Sequence, residues 1–249
     1  MNKKTKILIS VFVIISLLSI LWFDLVFLKN NGNTFKKELM MAGENSDVVI
    51  VFNSGGWGTV PFDQALDFNP IINETKELIE SKNYKVSIVQ YYRTQENFFA
   101  KIASLKEALF NFPDSSKVFS DRIDEFLEKN PNDKVIIAGL SNGASFIDAA
   151  MEELKDKEDN VWAIELGAPF WKKNTKSENI ISLNNQADIL ANGKLGQIII
   201  SLIKTPFVWM YNNISGNHIS LTQAMHDSGH DYYWQQVKDD ITSFVNKEF

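Results

Sequence analysis

The chain has 249 residues, 45% hydrophobic and 22% charged, enough to bury one sizeable core and too apolar for a disordered chain. Its net charge of −6 argues against nucleic acid as a partner. The sequence contains no cysteine, which excludes disulfides, thiolate nucleophiles, cysteine zinc sites and a lipidated cysteine anchor.

The first segment reads as an address. After Lys3, Lys4 and Lys6 comes "ILISVFVIISLLSILWFDLVFL", residues 7–28, whose only charge is Asp24. That length spans a bilayer, and the following "KNNGNTFKKELMMAG" offers no small-residue cleavage site, so residues 1–29 are expected to be an uncleaved transmembrane anchor. A buried core helix is the alternative. The three leading lysines favour a cytoplasmic N-terminus and a domain outside the cytoplasm, although Lys29, Lys36 and Lys37 reduce the bias. Residues 30–46 are polar and lack a sustained period; they predict a tether, followed by one domain over 47–249.

That domain alternates. "DVVIVF" (47–52), "KVSIVQYY" (85–92), "KVIIAG" (134–139), "VWAIEL" (161–166) and "NIISLN" (179–184) are short and almost wholly apolar, as strands covered on both faces are. Helical spacing separates them: Phe98, Ile102, Leu105, Leu109 and Phe112; then Phe119, Ile123 and Phe126; and, last, Trp234, Val237, Ile241, Phe244 and Val245. The fold class is therefore α/β, a mainly parallel sheet with helices on both faces. Ligands in such sheets bind beyond the C-terminal ends of the strands.

One candidate nucleophile stands at such an end. In "KVIIAGLSNGAS" a strand runs into Gly139-Leu-Ser141-Asn-Gly143, and the helical "ASFIDAAMEEL" follows. G-x-S-x-G between strand and helix is the pattern of a sharp turn that holds a serine hydroxyl at the top of a sheet. A glycine-bounded turn with an inert serine is the plainer reading. With its flanks, the motif resembles the α/β-hydrolase superfamily, and the resemblance covers about residues 47–249. The resemblance implies a serine, acid, histidine order along the chain, with no metal or cofactor.

On that resemblance Asp188, in the polar loop of "ENIISLNNQADILANG", is the expected acid, and Glu165 at the end of the preceding strand competes with it. "VWAIELGAPFW" and "ISLNNQADIL" are also similar to the corresponding stretch of class 3 lipases. The family places its histidine just before the last helix, which favours His230 over His226, four residues earlier, and over His218. An oxyanion hole needs backbone N–H groups, one from Asn142 and one from the glycine loop in "VFNSGGWGTV", with Gly56 and Trp57 the candidates there. Asn53 and Ser54 stand where the family's histidine-led loop begins.

Two rivals are weaker. A dinucleotide-binding G-x-G-x-x-G would need glycine where Pro61 stands after Gly56 and Gly58. A helical metal pair at His226 and His230 in "HDSGHD" would lack the glutamate of H-E-x-x-H and would contain Gly229. The apolar stretch 193–217 is either a core element or a cap over an acyl pocket. Together these readings imply a membrane-tethered serine hydrolase of carboxylic esters, with lipid or acyl esters as small-molecule substrates. A thioesterase, peptidase or acyltransferase on the same machinery, and a non-catalytic binding protein of this fold, remain as alternatives.

Overall fold

Runs such as Val48–Phe52 and Val135–Ile137 are apolar at every position because helices cover both faces of the sheet they form. The computed structural model of the chain describes residue 5 and residues 27–157, 159–172, 175–219 and 228–249. In chain order the described elements are α1 (27–43), β1 (Val48–Asn53), α2 (Asn69–Glu80), β2 (Val86–Gln90), α3 (Phe98–Leu109), α4 (Pro113–Lys129) and β3 (Lys134–Leu140). They continue as α5 (Asn142–Glu153), β4 (Val161–Leu166), β5 (Ile180–Leu183), α6 (Leu195–Ile214) and α7 (Trp234–Glu248).

All five strands are parallel, in the order β2-β1-β3-β4-β5. The chain moves outward from β1 to β2, then returns to β3 on the other side of β1, so the β1/β3 boundary is the point where the winding reverses. In sheets wound this way the crevice that takes ligands lies at the C-terminal ends of the strands there. Register sets the level at which each loop leaves the sheet: Asn53 pairs with Gly139, Leu140 with Leu166, and Leu166 with Leu183. The loops after β1, β3, β4 and β5 therefore rise side by side.

Strand alternation divides the core in two. Val49, Val51, Val135, Ile137 and Ala163 pack under α1, α4 and α5, whereas Ile50, Phe52, Ile136, Ala138 and Ile164 pack under α2 and α7.

Three expectations change. Residues 30–46 are not a tether: α1 occupies 27–43, and its Leu28, Phe35 and Leu39 are buried, the last two within the domain core. Phe35 stacks on Phe119 with ring centroids 5.1 Å apart and meets Tyr91 edge-on. Residues 1–4 and 6–26 of the expected anchor lie outside the described residues, and Leu28, at its end, is buried in α1. Among the described residues, no helix is long and apolar enough to cross a membrane.

The stripe Ile102, Leu105, Leu109 also fails as core. It faces outward, Leu109 being 73% exposed, while the small Ala100, Ala103 and Ser104 face in with Glu107. Small residues admit a close approach to Phe27, Leu28 and Arg93, and the large ones are left outside. Phe112, taken with that stripe, instead sits in left-handed conformation (φ 56°) ahead of α4, whose first turn is capped by Glu107 Oε2 accepting from Ser115 N at 2.9 Å.

Candidate active site

Ser141 is the joint between β3 and α5. Its backbone has φ 56° and ψ −121°, a strained conformation for a residue with a side chain. The surrounding glycines are what make it possible. A Cβ at Gly139 would come within 2.6 Å of the Gly143 backbone, and one at Gly143 within 2.7 Å of the Asn53 carbonyl oxygen. The start of α5 is thus pressed against the ends of β1 and β3, and Ser141 turns above them. Its own N–H donates to the Leu166 carbonyl at 2.8 Å. As the first residue of α5, Asn142 carries an amide with no acceptor in its helix, aimed with the positive end of the helix dipole.

The loop after β1 runs beside it. The position of a Gly55 Cβ would lie 3.6 Å from Ser141 Cβ, so Gly55 is the loop residue brought against the serine. Gly56 (φ 56°) and Gly58 (φ 73°) adopt left-handed conformations, and Trp57 is an exposed side chain between them. The Gly58 N–H donates to the Gly55 carbonyl at 3.0 Å. Asn142 Nδ2 reaches the Gly56 carbonyl at 3.4 Å. The chief restraint is Arg93, which no local sequence signal marks. Its Nη2 donates to the carbonyls of Ser54 at 2.8 Å and Gly56 at 3.0 Å, and its N–H donates to Gly58 at 3.1 Å. The guanidinium is buried beside the rings of Phe112 and Phe146. Burial lowers its pKa to about 10, still charged at neutral pH.

The acid and the imidazole come from two further loops. Asp188 is fully buried. Its Oδ1 accepts from the amides of Leu190 and Ala191, both at 2.9 Å; its Oδ2 lies 2.7 Å from His230 Nδ1 and accepts from the Tyr232 hydroxyl at 2.8 Å. Burial alone would raise this carboxyl, but the bonds from His230, Ala191 and Tyr232 outweigh it and hold the group below its ordinary value. His230 ends a short 3₁₀ turn over Ser228–His230, just ahead of α7, and its ring keeps 23% exposure. Gly229 lets the two loops meet, since a Cβ there would fall 2.5 Å from the Ala187 carbonyl oxygen. Gly167 (φ 59°) has the same role on the other side: a Cβ would sit 3.1 Å from His230 Cε1 and 2.7 Å from Tyr232 Cε2. Ser141 and His230 therefore flank one peptide, that of Leu166 and Gly167.

The same architecture is present in a solved structure. A Trichoderma reesei cutinase in complex with a C11Y4 phosphonate inhibitor superposes with a TM-score of 0.51 at 13% identity, over 91% of this chain and 90% of that one. The chain has the α/β-hydrolase fold. No protein-family model and no curated protein sequence matches it.

Within the α/β-hydrolase fold the competing acid takes a different place. Glu165 alternates to the opposite face of β4, where it is fully buried and paired with Lys172, whose Nζ also lies 3.7 Å from Asp148 Oδ1. Burial raises the Glu165 pKa to about 7, against the partial compensation of Lys172, and raises Asp148 as well. His230 bonds to Asp188 and Glu165 to Lys172, so only the former acid orients the imidazole. His218 is exposed in the loop after α6, and His226 lies outside the described residues. The stretch 193–217 is not core: it forms α6, most of it solvent-facing.

Tyr232 and Arg93 are the functional neighbours that the sequence reading missed. Each acts on a partner about forty residues away in the chain, a separation that leaves no local pattern.

Proposed function

We propose that the protein is a serine hydrolase of carboxylic esters that works through an acyl-enzyme, with Ser141 as nucleophile, His230 as general base and acid, and Asp188 as the group that orients His230. The reading rests on one observation above all: a serine held in a strained strand-to-helix turn opposite an imidazole whose Nδ1 lies 2.7 Å from a buried carboxylate. A serine hydroxyl attacks an ester only if its proton is removed as the bond forms. With the Nδ1 proton directed to Asp188, the free Nε2 of His230 accepts it. The oxygen of the tetrahedral intermediate takes its negative charge toward the Asn142 amide and an amide of the Gly55–Gly58 loop, with Gly56 and Trp57 the donors expected there and Gly55 the residue against Ser141. The His230 proton then goes to the departing alkoxide, and water, activated the same way, releases the acid and restores Ser141. No metal or cofactor takes part in these steps.

The apolar run of residues 7–28 supports a membrane tether, and the lysines before it favour a domain outside the cytoplasm. Exposed apolar helices around the site favour acyl or lipid esters over small polar ones. The reading is tested with p-nitrophenyl esters of increasing chain length. Hydrolysis by the wild type that rises with chain length, and is lost in Ser141→Ala, is the expected result. Hydrolysis undiminished in Ser141→Ala excludes this nucleophile, and no hydrolysis of any ester by the wild type favours a binding protein of this fold.

A further inference from the structure

Helix α6 exposes its largest apolar side chains. Ile199, Ile203, Phe207, Met210 and Ile214 follow one another at spacings of four, four, three and four, which makes a single stripe along the helix, and every one of them is exposed. The less exposed side carries the buried Thr205 and the half-buried Ser201 and Asn212, with the half-buried Ile198 as an apolar neighbour. A surface helix of a protein surrounded by water has the reverse arrangement. The helix is 20 residues long, with Lys204 its only charge, and presents its apolar side to whatever lies beyond the molecule.

The location narrows the identity of that partner. Helix α6 follows the Asp188 loop directly: the Lys194 N–H donates to the Ile189 carbonyl at 3.0 Å, and Phe170, itself exposed beside Trp171, packs against Gly193. On the other side of the crevice, α3 turns Leu105, Leu109 and Phe110 outward. The chain enters the domain at this edge too, because Phe27 and Leu28 line a cleft with Arg93 and Thr94, the residues that follow β2. The apolar run of residues 7–28 therefore ends at this edge. Apolar side chains are thus exposed on several separate elements, the form suited to a broad fluid surface and not to one protein groove. Trp209 and Tyr211 on the flank of the stripe are the residue types that settle at the headgroup level of a bilayer.

We propose that α6 lies in the surface of a lipid bilayer with its apolar stripe among the acyl chains, so that the crevice at Ser141 opens onto the membrane and takes an acyl ester held there. The second half of this statement rests on the hydrolase reading; the docking does not.

The absence of cysteine allows a single reporter thiol to be placed anywhere in the full chain. Phe207→Cys on α6 and Lys129→Cys, exposed at the C-terminus of α4, are each labelled with an environment-sensitive fluorophore and mixed with phosphatidylcholine vesicles whose acyl chains carry nitroxides. The label at 207 shifts to the blue and is quenched, and the label at 129 does neither. Failure of the full chain to join the vesicles, or an unquenched label at 207 on a vesicle-bound chain, overturns the proposal. So does a pyrene at 207 that forms excimers without lipid and escapes the nitroxides, which would make the partner a second copy. Ester hydrolysis measured on the same wild-type chain separates the two ideas, since a wild type that docks but hydrolyses no ester contradicts only the hydrolase reading. For the substrate, Ile203→Asp with Phe207→Asp should lower turnover of a vesicle-held ester by about tenfold or more, since carboxylates are expelled from the acyl region, and leave a short water-soluble ester within about twofold. Equal losses on both esters overturn the membrane-held substrate.

Discussion

Asp188 receives four hydrogen bonds, two on each oxygen, which leaves it no freedom to turn and makes it the fixed point of the site. Asp188→Asn keeps the shape but can present the wrong hydrogen-bonding face to Nδ1. The expected result is a loss of kcat of roughly ten-thousandfold, as for other serine triads, with KM little changed. Glu165→Gln, on the opposite face of the strand, should retain most of the activity; steady-state kinetics on the pair decides between the two acids. Tyr232→Phe removes one bond to the carboxylate and one to the Asn185 amide. A single lost bond of that kind is worth about 1–2 kcal/mol, so kcat should fall about tenfold with KM unaltered and the protein still folded. The positions of Ser141, Asp188 and His230 were legible because each sits at a boundary the sequence marks: strand into helix, strand into polar loop, loop into the last helix. Tyr232 was not, because a buried tyrosine before a helix looks like any core residue until its partner is known.

The elements show the same division. Parallel strands were readable from continuous apolar runs, since covering both faces leaves no polar alternation. Helix α1 was not. Its buried Leu28, Phe35 and Leu39 are separated by seven and four residues, a helical stripe, but "NNGN" at 30–33 carries the composition of a break. Tertiary packing against the aromatic cluster overrides that local preference. In α3 the period was legible and its direction was not, because spacing says which residues share a face and nothing about which face turns inward. Two elements meet at Gly143, where a Cβ would strike the β1 backbone. Gly143→Ala should therefore cost about 1–3 kcal/mol of stability, the usual penalty of overpacking, seen as a lower urea midpoint with unchanged slope. Arg93 ties the loop after β1 to the crevice from below. Arg93→Met preserves its volume and removes its donors, and should lower kcat without loss of the fold, because the amides for the oxyanion lose their support. An unchanged kcat would show that the loop holds its shape alone.

At the scale of the whole molecule the buried carboxylate pair on the α5 side makes stability depend on pH. The folded state holds the Glu165 proton to about pH 7, against 4.5 for an ordinary glutamate. This group therefore stabilises the fold fully below about pH 4.5, and the contribution is lost as pH rises through 7. The difference corresponds to about 3 kcal/mol. Asp188, held below its ordinary value, has the opposite sign and contributes stability that is lost only in acid. Denaturation midpoints between pH 5 and 8 should accordingly decline less in Glu165→Gln than in the wild type, and parallel curves would show that Glu165 is ionised throughout. The parallel strands put all this machinery at their C-terminal ends, with α6 following the Asp188 loop and the end of the apolar run beside Arg93.

The central claim is that Ser141 is a nucleophile and not an inert residue in a tight turn. The most direct measurement is to treat the full-length protein with a fluorophosphonate and map the adduct by peptide mass spectrometry. A single adduct on Ser141, absent in Ser141→Ala and strongly slowed in His230→Ala, is the expected result. An unmodified Ser141, or labelling that persists at the same rate without His230, would contradict it.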